Sequence, residues 1–193
     1  MQQLKHNHNM ILAPLLALVM LATRGHHDLS PVHLPDASWA VFFLLGLYLP
    51  QRWLFTLFFL LAAGMDYISI TWGGVSSFCV TGAYLLLIPA YWSLWLSARI
   101  HQPQGQLTFA DLLPLALYAL AGTLVCELIS SGGFYFFSGR FVDTNWIEFS
   151  DRLITYLPGN LKNQALYLGL AAIIHTLVSL LRHKLNRQQN LAT

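Results

Sequence analysis

The chain has 193 residues, 56% of them hydrophobic and only 9% charged, with a mean hydropathy of +0.55. Soluble domains carry about 25% charged residues, so this sequence is too poor in charge to cover a water-facing surface. Its net charge of +2 excludes the basic footprint of a nucleic-acid binder. It has no G-x-x-x-x-G-K-[ST] loop, no G-x-G-x-x-G loop and no C-x-x-C pair, which argues against ATP hydrolysis and dinucleotide binding.

A spanning helix needs about 20 apolar residues, with a range of roughly 17–25. The first apolar segment, 10–23, lies between Lys5, His6 and His8 on one side and Arg24 on the other. At 14 residues it is short for a span. Its basic start and apolar core also suit a secretory leader, but no A-x-A site follows. The connection from Arg24 to Asp36 carries His26, His27, His33 and two prolines. Solvated loop histidines are the expected reading there, and metal binding is the alternative.

Segment 37–50, bounded by Asp36 and Arg52, is again 14 residues. Segment 53–72 is apolar except for Asp66 and a few hydroxyls. After a Gly-Gly-Val-Ser-Ser link comes 78–96. Segment 112–129 carries Glu127 near its end, and 165–181 precedes the basic run Arg182, His183, Lys184, Arg187. The expected fold is therefore all-α: one polytopic membrane domain of six transmembrane helices packed as a bundle.

Six spans place both termini on one side, and loop charge decides which. With the N-terminus inside, inner segments hold six basic residues (Lys5, Arg52, Arg99, Arg182, Lys184, Arg187) against four outside (Arg24, Arg140, Arg152, Lys162). Trp53, Trp92 and Trp95 then lie near inner ends, and Trp72 and Trp146 near outer ends, as in aromatic belts. The long connection from Ser130 to Asn160, rich in Gly and aromatics, falls outside. Long loops over one face predict a cavity that opens outward.

Asp66 is the most informative single residue. An ionisable group at membrane depth is costly and faces a cavity or a partner. The alternative is a carboxylate near the interface, held by a neighbouring hydroxyl. Asp66 sits six residues before Trp72, about 9 Å below the outer end of its helix. Cys79 opens the next segment at the outer end, and Tyr84 lies about 7.5 Å deeper. Antiparallel neighbours would so bring a carboxylate, a thiol and a phenol to similar depth. Alone, Cys79 reads as a small buried hydrophobe. With Asp66 and Tyr84 nearby, it reads as a soft ligand that can hold a metal or a polar head group.

Six short spans, an Asp in the third and a Cys-x4-Tyr opening the fourth resemble the BtuM family. These are small bacterial proteins related to the S-components of energy-coupling-factor vitamin transporters. The resemblance covers nearly the whole chain in layout, and its specific part is Asp66 to Tyr84. It implies a cobalamin site open to the periplasm, in which Cys79 is the axial cobalt ligand and Asp66 and Tyr84 flank it. It also implies uptake across the inner membrane, with thiolate-assisted decyanation of cyanocobalamin as a possible side reaction at Cys79. S-components dock on an energising module through a small-xxx-small face on their first helix. Ala13 and Ala17 have that spacing, with Pro14 bending or starting the helix between them.

Other residues have plainer readings. His175, alone in the last segment, is expected in a core hydrogen bond. Glu127 is expected to pair with Arg140 or Arg152, and Cys126 to lie in the core. A Cys79–Cys126 disulfide would oppose the ligand reading. Phe134, Tyr135, Phe136, Phe137 and Phe141 suit a lid over a planar ligand or packing against lipid. Two rival classes stand beside transport. One is an intramembrane enzyme with Cys79 as nucleophile and Asp66 or a loop His as acid or base. The other is an assembly subunit that binds no ligand.

Overall fold

The computed structural model describes residues 2–24, 34–49, 51–101 and 108–191. Among them every regular element is helical: α1 (Gln2–Arg24), α2 (Ser38–Tyr48), α3 (Arg52–Thr71), α4 (Leu87–Ile100), α5 (Phe109–Phe137) and α6 (Trp146–Leu191). Two 3-10 turns, Ser77–Cys79 and Gly82–Leu86, lead into α4. Three helices are long and apolar enough to cross a membrane: Arg52–Thr71, Ala110–Phe137 and Trp146–Leu181. These mark a membrane protein. The apolar part of α1 and all of α2 are shorter, and α4 has 14 residues.

The expected helix over 78–96 is broken. Its first half forms the two 3-10 turns, because Ser76 and Thr81 turn their hydroxyls onto the backbone N–H groups of Phe78 and Ala83. Such side-chain caps compete with α-helical continuation. The expected outer loop from Ser130 to Asn160 is mostly helix instead. α5 continues to Phe137 and α6 starts at Trp146, leaving 138–145 as the connection. Gly132 and Gly133 read as loop signals, yet they make room for packing within α5. A Cβ at Gly133 would come within 2.5 Å of Leu86 Cδ1, and one at Gly132 within 3.2 Å of Phe149 Cζ. The turn itself uses Gly139 at φ +71°, a left-handed conformation that costs glycine nothing.

α2 is apolar on all sides, and helices of that kind are buried. It runs through the middle, with Phe42 and Leu45 fully enclosed. Leu16 and Met20 of α1, Phe55 and Phe58 of α3, and Ala90, Tyr91 and Leu94 of α4 close around it. Gly46 lets α2 and α4 touch backbone to backbone, since a Cβ there would overlap the Trp95 carbonyl. α6 is the opposite case: only 6% of its apolar stretch is buried. Its outer face, with Ile173, Ile174, Leu177 and Leu181 exposed, is suited to hydrocarbon rather than water.

Candidate functional site

One end of the bundle gathers the charged residues. Arg24, the last residue of α1, is 7% exposed. Its guanidinium makes a two-pronged pair with Asp66 of α3: Nε donates to Oδ1 and Nη2 to Oδ2, both at 2.8 Å. Nη1 donates to Ser38 Oγ at 2.8 Å and to Tyr91 OH at 3.1 Å, and lies 3.6 Å from Asp36 Oδ2. Asp36 in turn accepts from the Ser38 backbone N–H and hydroxyl, which starts α2. Tyr84, in the second 3-10 turn, donates to Asp66 Oδ2 at 2.7 Å. One arginine thus ties α1, α2, α3 and α4 together, and Asp66 extends the tie to the segment before α4. A planar fork of donors matched to a carboxylate is the geometry that only Arg supplies.

Cys79 is exposed and its thiol is free, and Cys126 is buried and also free. The two do not form a disulfide. Among the described residues Cys79 has no hydrogen bond to Asp66, whose two oxygens accept from Arg24 and Tyr84. The carboxylate therefore fixes Tyr84 rather than touching the thiol. Next to Cys79, Phe78 begins an aromatic wall. Arg140 stacks on the Phe78 ring at 5.1 Å and donates from Nε to the Phe78 carbonyl. Phe78 meets Phe134, which meets Phe141. Arg152 lies 4.5 Å over Phe141 and pairs with Glu148 at 2.8 Å. Tyr135 donates to Glu148 and is buried.

The expected pairing of Glu127 with Arg140 or Arg152 does not occur. Glu127 is 1% exposed and accepts from Ser131 Oγ at 2.5 Å and Asn160 Nδ2 at 2.7 Å. Both arginines are committed to the aromatic wall instead. Cys126 does lie in the core, and His175 does meet Tyr48, with Nδ1 3.2 Å from the phenol oxygen. His26, His27 and His33 lie outside the described residues. Ala13 and Ala17 are half-buried and pack against the core, while Ile11, Leu15 and Leu18 form the exposed face of α1. Among the described residues no three His, Cys, Asp or Glu side chains converge on a metal position.

Sequence reasoning missed Arg24 as the partner of Asp66 and treated it as a loop charge. The signal was present: a lone base ends one apolar run, a lone acid interrupts another, and charges at membrane depth pair. Tyr91, Ser38 and Arg140 gave no comparable signal.

The large cavity lies away from this cluster, unlike the outward-opening one expected. It measures about 870 Å³ and runs between α2, α5 and α6 from Thr123 and Gln164 towards Thr108 and Leu180. Thr123 Oγ is 2.7 Å from both the Ala119 carbonyl and the Gln164 amide oxygen. A hydroxyl has one proton to give. With that proton on Ala119, a Gln164 amide turned by half a revolution donates to Thr123, so its otherwise unpartnered Nε2 is satisfied. The cavity is therefore an uncharged, mainly apolar groove.

Comparison of the sequence with protein-family models and with curated proteins gives no match.

Proposed function

We propose that this chain is a BtuM-like protein that binds cobalamin at the Asp66 end and carries it across the bacterial inner membrane, with both termini on the cytoplasmic side. All six helical segments cross in this reading, the fourth through its 3-10 turns and α4. Non-helical backbone at membrane depth is tolerated where protein buries it or it lines a cavity, and the break falls at Cys79. The observation that carries the reading is the exposed, free thiol of Cys79 beside a segment held by the Tyr84–Asp66–Arg24 network. A thiol in that setting is open to an incoming corrinoid. The wall of Phe78, Phe134 and Phe141 supplies apolar contact for a large planar ring.

The chemistry is ligand exchange. Cys79, as the thiolate, gives a sulfur lone pair to cobalt, and the axial water leaves with its own pair. With cyanocobalamin, cyanide leaves in the same way, carrying its bonding pair, and cobalt keeps its oxidation state. Asp66 and Tyr84 act as positioning residues. Docking of an energising module on the helix carrying Ala13 and Ala17 belongs to the same proposal. Without one, this chain carries the vitamin only down its gradient. The enzyme reading has less support, because Asp66 is engaged by Arg24 and Tyr84 rather than by Cys79.

The test is an absorbance spectrum of the purified protein mixed with cyanocobalamin, beside Cys79→Ala. A corrin band that shifts in the wild type and not in the variant supports thiolate ligation. Identical bands in both would keep the vitamin and remove Cys79 from cobalt, and no bound corrinoid in either would refute the function.

A further inference from the structure

The groove between α2, α5 and α6 is not used by the corrinoid proposal, and its shape and charge point to a different ligand. It is long and narrow. Along α5 it extends from Thr108 to Thr123, about 22 Å at 1.5 Å per residue, and along α6 from Leu161 to Leu180, about 28 Å. Its volume of about 870 Å³ lies within the range of roughly 300–1,000 Å³ usual for small-molecule sites. Phe43, Leu47, Leu115 and Leu168 form its walls, and no Asp, Glu, Lys or Arg lines it. Leu112, Leu120 and Leu180 on its rim are exposed, so it opens sideways, where hydrocarbon lies. The Thr176 hydroxyl on its wall is occupied by the Ala172 carbonyl, which leaves little for a polar ligand to bind.

One mouth of the groove is cationic. Four and seven residues beyond Leu180 stand Lys184 and Arg187, both exposed. At 3.6 residues per turn these offsets return to within about 40° of Leu180. The stripe of α6 that lines the groove therefore continues as two basic side chains just past its end.

We propose that the groove holds an acyl chain of an anionic phospholipid from the leaflet on the C-terminal side, with its phosphate on Lys184 and Arg187. An acyl chain fills a long apolar slot without needing hydrogen bonds. The headgroup then meets the cations at the mouth, where a basic residue near a membrane surface attracts anionic lipid. The chain also supplies a packing partner for α6, most of whose apolar stretch is not buried against protein. This inference stands apart from the corrinoid reading and survives its failure.

Native mass spectrometry of the full chain in mild detergent, with equal phosphatidylglycerol and phosphatidylcholine, tests it. The wild type is expected to retain one phosphatidylglycerol in preference. In Lys184→Gln with Arg187→Gln, the preference should fall about fivefold for each charge removed. Gly169 lines the groove, and a Cβ there meets nothing within 4 Å. Gly169→Phe should therefore fill the slot and abolish retention of either lipid. Equal retention of both lipids by the wild type overturns the proposal, as does wild-type retention by Gly169→Phe. The charge variant alters only exposed side chains, so an unchanged preference there overturns the headgroup assignment even if Gly169→Phe fails to fold.

Discussion

Asp66→Asn is the perturbation that bears most directly on how the site is held. It removes the carboxylate that takes both prongs of Arg24 and the Tyr84 hydroxyl, and it leaves the guanidinium buried. Losing one partner of a buried pair costs about 3–5 kcal/mol. Two features place this case at the lower end. The Asp66 side chain is 27% exposed, so water already screens part of the interaction, and Asp36, 3.6 Å from Arg24, remains as a substitute. A loss of about 3 kcal/mol corresponds to a fall of roughly 6–12 °C in Tm for a chain of this size. Thermal unfolding in detergent measures it. The informative comparison is the double variant Arg24→Met with Asp66→Leu, which removes both charges together. It should be more stable than the sum of its single variants by about 2 kcal/mol, because neither charge is stranded. Additivity within about 0.5 kcal/mol would refute the claim that the pair acts as a unit.

Thiol labelling of the folded protein should modify Cys79 alone, with the fully buried Cys126 reacting only after denaturation; two fast-reacting thiols in the native state would contradict the packing of α5. Tyr84→Phe keeps the ring and loses one hydrogen bond to a carboxylate, for a cost of about 1.5–3 kcal/mol, and limited proteolysis should then cut faster within 77–86. Gly46→Ala forces a methyl group into the Trp95 carbonyl, and urea or thermal midpoints should show a loss at or above the usual 1–3 kcal/mol of overpacking. Glu127→Gln turns an amide donor towards Ser131 or Asn160, both of which donate now, and a stability loss of about 1–3 kcal/mol is expected in the same assay.

The class of the protein was legible in the sequence because apolar run length and charge content are local properties. Three runs of 18 residues or more suffice to place the chain in a bilayer, whatever their neighbours are. The singularity of Asp66 was legible for the same reason: a carboxylate in an apolar run must be partnered. Its partner was not. Arg24 lies 42 residues away, and no periodicity connects the end of one helix to the interior of another. Glu127 shows the same limit, since its two donors come from one turn along α5 and from α6, while the arginines that looked available stack on aromatic rings. The long α5 and α6 were hidden because glycines at 132 and 133 signal a loop in isolation and close packing in context. The site at Cys79 divides along the same line. Residue types fixed which groups could act, and the tertiary fold decided that Asp66 would bind Tyr84 and Arg24 and leave the thiol open, because a buried cation claims the nearest carboxylate before any ligand arrives.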